Sequence, residues 1–108
     1  MVPDDVVASR WLSSLHPEDP EVRTIRSRLT PQPAGPLFEP WTPVGALDGV
    51  PVTYIWPEED RQNTERRMRM SLSNLPAATR LVTISGDHCA MLTDPAGTAA
   101  ALHAVVDG

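Results

Sequence analysis

The chain has no lysine. All nine of its basic residues are arginine, so no side-chain amine is present to form a Schiff base. Cysteine occurs once, at Cys89, which excludes an internal disulfide and a multi-cysteine zinc site. No apolar run comes near the ~20 residues that a membrane-spanning helix needs. The N-terminus, Met1-Val2-Pro3-Asp4-Asp5, has no basic region ahead of an apolar one, as a signal peptide would. A soluble cytoplasmic protein is therefore expected. Excess positive charge is missing too: the net charge is −5, against a nucleic-acid binder, which carries a basic face. Neither a cofactor nor a metal is expected, and neither nucleic acid nor membrane as a partner.

Proline, by contrast, is abundant. Seven of the twelve fall between Pro17 and Pro43, so the front of the chain should be irregular and the regular structure should lie behind it. The 108 residues suit one domain or part of one, able to bury roughly 65% of the unfolded surface. Val7, Trp11 and Leu15 at i, i+4 and i+8 predict a helix over 4–15. Asp19-Pro20, a cap followed by proline at the first helical position, starts a second helix with Val22, Ile25 and Leu29 on one face and Thr30-Pro31 at its end. Residues 31–43, holding Leu37, Phe38 and Trp41, read as an extended connector laid over a surface; a pocket wall or an SH3-type ligand is the alternative.

After the Asp48-Gly49 turn signal, Val52-Thr53-Tyr54-Ile55-Trp56 is apolar on both faces. That pattern predicts a central strand of a parallel sheet, covered on both sides. Residues 61–75 predict a helix with Met68, Leu72 and Leu75 inward. Arg80 to Ser85 predicts a second strand, and Asp94-Pro95 opens a terminal helix carrying Ala99, Leu102, Val105 and Val106. Strand, helix, strand makes a right-handed βαβ unit with parallel strands. The fold class is α/β: two parallel strands, a crossover helix and a terminal helix over 44–108, preceded by a helical, Pro-rich segment over 1–43.

Parallel strands bring their C-terminal ends together, about 5 Å apart if they are neighbours, and chemistry in such sheets is commonly placed at that edge. Asp60 follows the first end. His88 follows the second, two residues past Gly86 and twenty-eight past Asp60. A carboxylate there can hold the Nδ1–H of the imidazole, making the acid and base of a catalytic triad. Glu59 is the weaker candidate for the acid. Asp87 reads as a turn-former. Cys89 reads as a buried or substrate-lining residue rather than a nucleophile, since neighbours in sequence tend to point apart. His16 and His103 read as structural.

Four stretches carry a resemblance. Arg28-Leu29-Thr30-Pro31-Gln32-Pro33 is one, and Val50-Pro51-Val52-Thr53-Tyr54-Ile55-Trp56 with Asp60 after it is another. Gly86-Asp87-His88 and Leu92-Thr93-Asp94-Pro95 are the others. Together they resemble the C-terminal portion of an α/β-hydrolase, most closely the hydroxynitrile lyase and plant methylesterase group with its bacterial esterase relatives. The resemblance implies that Asp60 is the triad acid, His88 the triad base, and residues 1–40 the end of a cap over the active site. The lyases of that group carry a lysine directly after the histidine; Cys89 stands there in this chain, which favours ester hydrolysis.

The triad serine of that fold sits in a Gly-x-Ser-x-Gly elbow and precedes the acid and the histidine. None of the seven serines here is in such a pattern. The expectation is the C-terminal segment of a carboxylic-ester hydrolase, a fragment supplying Asp60 and His88, with a small-molecule ester as substrate once an upstream half completes it. The competing expectation is a non-catalytic α/β module that binds a partner, or itself, through an open sheet edge.

Overall fold

The β-branched and aromatic run expected as a strand forms β1, Thr53–Pro57, and Arg80–Ile84 forms β2. They pair in parallel, in register from Thr53 opposite Arg80 to Pro57 opposite Ile84. The computed structural model describes residues 3–38, 40 and 47–108. Trp41 and the expected boundary at 43/44 fall outside them.

The crossover helix is α4, Glu65–Ser73, shorter at both ends than the expected 61–75. Its start is delayed because residues 60–63 form a loop with bonds of its own. Asp60 accepts from the backbone of Gln62 and Asn63, while Trp56 Nε1 donates to the Asn63 carbonyl at 2.8 Å. Met68 is fully buried, with Leu72 and Leu75 half-buried on the same side. Among the described residues the sheet has these two strands alone. The expectation of a strand covered on both sides is therefore not met: Trp56 is buried, but Thr53, Tyr54 and Ile55 are only half-buried.

The terminal helix, Pro95–Asp107, starts where the Asp94-Pro95 pair places it, with the Asp94 carboxylate accepting from Gly97 N. A short helix, Ala90–Thr93, precedes it and was not expected. In chain order these are α5 (Ala90–Thr93) and α6 (Pro95–Asp107). Helix α6 lies against α5 and β2, yet Leu102 is 55% and Val106 82% exposed. Its apolar stripe is mostly uncovered.

At the front, the single helix expected over 4–15 is corrected. Asp4–Val6 (α1) is α-helical, and Val7–Trp11 continues as a π turn that ends in bends. The bond from Leu12 N to Val7 O spans five residues. That wider turn sets Leu12, not Trp11, over Val7. Val7, Leu12 and the Val22 of α2 (Pro20–Ser27) form a fully buried cluster. Trp11, Leu15, Ile25, Leu29 and Cys89 pack around it. Helix α2 begins as expected, with Asp19 accepting from Glu21 N at 2.8 Å, but stops at Ser27. The connector is not wholly extended, because Gly35–Phe38 form one helical turn, α3.

Among the described residues no helix is long and apolar enough to cross a membrane.

Candidate active site

Backbone pairing continues past the strand ends and aligns the two loops that follow. Glu58 N donates to Ile84 O at 2.9 Å and Glu59 N to Gly86 O at 3.0 Å. Asp60 comes directly after the last of these donors and His88 two residues after Gly86, and the two side chains meet beyond the strand ends. Gly86 makes the turn possible: its φ is +121°, and a Cβ there would lie 3.3 Å from the Ala90 Cβ. A side chain at this position would meet both a strained backbone and a crowded neighbour.

Asp60 is 7% exposed. Its Oδ1 accepts from Gln62 N at 2.8 Å and Asn63 N at 2.7 Å, an Asx turn that fixes the carboxylate plane. Oδ2 faces His88 Nδ1 at 3.0 Å, with Oδ1 3.2 Å from the same nitrogen. An ionised carboxylate only accepts, so Nδ1 carries the proton and Nε2 has the free lone pair. The His88 side chain is 34% exposed, and Nε2 makes no hydrogen bond among the described residues. The Trp11 ring stands beside the imidazole, with centroids 5.8 Å apart and planes tilted by 39°. The geometry is that of a base with an orienting acid: the imidazole can take a proton at Nε2 while Asp60 stabilises the cation that results.

Glu59, the other candidate acid, is exposed. Cys89 is half-buried against the Val7–Leu12–Val22 cluster. Burial, then the charges of Asp87 and Asp60, push its thiol up to about 11. It stays protonated at neutral pH, which removes it as a thiolate nucleophile. His16 accepts at Nδ1 from Glu18 N and so serves a turn; His103 is exposed on α6. Among the described residues no group of three or more His, Cys, Asp or Glu is arranged to hold a metal.

Two features of the site escaped the sequence reading. Trp11, read as a core residue of a helix, borders His88. Asp87, read as a turn-former, is completely buried and accepts from Ser14 as well as from Cys89 and Thr93. Ser14 lies 73 residues away in sequence, and no local pattern signals such a contact.

No family model, curated protein or solved structure matches the chain.

Proposed function

We propose that this chain supplies the acid and base of a carboxylic-ester hydrolase of the α/β-hydrolase type, with the serine nucleophile outside these 108 residues. One observation carries the reading: the Asp60 carboxylate on His88 Nδ1, with Nε2 left free on a partly exposed ring just past the C-terminal ends of the two strands. In the reaction, Nε2 accepts the serine Oγ proton as the oxygen attacks the ester carbonyl carbon. The Nε2 proton then passes to the departing alkoxide, which leaves as the alcohol. In the second half, Nε2 takes a proton from water, the resulting hydroxide attacks the acyl-serine, and that proton returns to the serine oxygen. Asp60 holds the tautomer and offsets the imidazolium charge throughout. In this reading Trp11, whose ring borders the imidazole, lines the substrate side and Cys89 backs it from the front cluster, and the cytoplasm, which keeps Cys89 reduced, is the setting. The stripe of α6 and the strand edges that are uncovered among the described residues are, in this reading, the surfaces that the rest of a larger sheet and its helices cover.

The test is co-expression with the polypeptide encoded in frame upstream of Met1. The expected complex is labelled by a fluorophosphonate and cleaves p-nitrophenyl acetate with saturation kinetics, and His88→Ala lowers kcat by about 10⁴-fold or more. Saturable hydrolysis by this chain alone that His88→Ala abolishes would overturn the reading, as would a complex indifferent to His88→Ala.

The open edges and the α6 stripe also favour a second reading, a non-catalytic module that pairs with itself or another chain. Size-exclusion chromatography with light scattering separates the two. A dimer of the isolated chain that His88→Ala leaves unchanged supports the module. A stable, fully folded monomer counts against edge pairing and so against the module.

A further inference from the structure

We infer that Asp87 is a positioning residue for His88: its buried carboxylate fastens the turn bearing the imidazole to the N-terminal segment on one side and to α5 on the other. Asp87 is 0% exposed and has no cationic partner among the described residues. A buried carboxylate without a counter-charge is costly unless donors surround it. Four do. Oδ2 accepts from Ser14 N at 3.2 Å and Ser14 Oγ at 2.6 Å. Oδ1 accepts from Cys89 N at 3.0 Å and Thr93 Oγ1 at 2.9 Å.

The pattern dictates a carboxylate. Each oxygen takes one backbone N–H, so an asparagine NH₂ at either position would face a donor with a donor. Hydroxyls can rotate to suit; backbone N–H groups cannot. The bonds also bracket His88. Ser14 follows the Trp11 turn whose ring stands beside the imidazole. Cys89 N is shared between Asp87 Oδ1 and the Trp11 carbonyl at 3.1 Å. The residues before and after His88 are thereby tied to the same N-terminal segment. The imidazole is left with its two side-chain torsions, which the bond to Asp60 then sets.

The catalytic consequence rests on the hydrolase reading, but the placement of the imidazole does not. The test therefore reads placement first. In the isolated chain, nitrogen-15 NMR of His88 is expected to show the Nδ1-protonated tautomer. In Asp87→Asn the two ring-nitrogen shifts move toward each other as the tautomers mix. Thr93→Val does the same to a smaller extent, and Thr93→Ser, which keeps the hydroxyl, restores the wild-type spectrum. If Asp87→Asn does not fold, the Thr93 pair and Ser14→Ala carry the test. A folded Asp87→Asn, or a folded Thr93→Val and Ser14→Ala, with unchanged His88 shifts overturns the inference and leaves Asp87 as fold support only. In the co-expressed complex, Asp87→Asn is expected to lower kcat by about 10²-fold with KM little changed, the loss typical of a misplaced reacting group. A wild-type complex without esterase activity would sink the hydrolase reading while leaving the NMR result standing.

Discussion

Replacing Asp60 in two different ways should separate its architectural work from its effect on the imidazole. Asparagine keeps Oδ1, so the bonds from Gln62 N and Asn63 N survive. Its NH₂ replaces Oδ2 and points a donor at His88 Nδ1. The ring then has to offer a lone pair there, which moves the proton to Nε2. Only the His88 bond changes character, and a cost of about 1 kcal/mol follows. Alanine removes every acceptor. Two backbone N–H groups lose their partner at roughly 1 kcal/mol each, with nearby water recovering part, and the His88 bond adds about 1 kcal/mol more. Asp60→Ala is thus expected to cost about 3 kcal/mol out of a total of ~5–15 kcal/mol. Urea unfolding followed by tryptophan fluorescence reads the two costs, since Trp56 donates into the same loop. Long-range nitrogen–proton NMR reads the tautomer. Equal destabilisation by both variants, or a His88 that keeps its proton on Nδ1 in Asp60→Asn, would refute the claim that this carboxylate sets the tautomer.

Three further outcomes follow from the same contacts. Leu12→Ala, at a fully buried position of the front cluster, should cost about 2–5 kcal/mol in urea unfolding; a cost under 1 kcal/mol would mean that the cluster contributes little. Gly86→Ala forces φ = +121° on a residue with a Cβ, 3.3 Å from Ala90, and should lower stability by roughly 1–3 kcal/mol, measured by thermal unfolding with the His88 NMR signals displaced; a neutral result would contradict the turn geometry. For Cys89 the folded-state thiol, at about 11, lies above its ordinary 9.0, so the folded chain holds that proton more tightly than the unfolded one. The resulting stability is present below the ordinary value and is lost as pH rises from 9.0 to about 11. Iodoacetamide should accordingly alkylate the native chain much more slowly than the urea-unfolded chain at pH 9, the gap closing near 11; equal rates at pH 9 would argue against a buried thiol.

Local chemistry announces itself along the chain, and distant partners do not. Asp19-Pro20 and Asp94-Pro95 identify two helix starts because a capping carboxylate and a proline act within one turn. The apolar runs at Val52–Trp56 and Leu81–Ile84, joined by a helix-length segment, settle a parallel pair, since a right-handed crossover is the only common way to connect them. From that pairing alone, Asp60 and His88 are expected side by side, and they lie 3.0 Å apart. The N-terminal segment was less readable: a spacing of four between Val7 and Trp11 suits an α-helix, yet a five-residue bond turns Leu12 inward and frees Trp11 to border the histidine. The choice between those two turns depends on what each face packs against, here Val22 and Cys89. The same is true of Asp87. Next to a glycine it reads as a turn residue, and its burial under Ser14 and Thr93 exists only once the front of the chain is folded back onto the strand ends. Periodicity and caps are properties of neighbours in sequence. Which carboxylate ends up beneath the imidazole's turn, and which ring beside it, depends on segments more than seventy residues apart meeting in space.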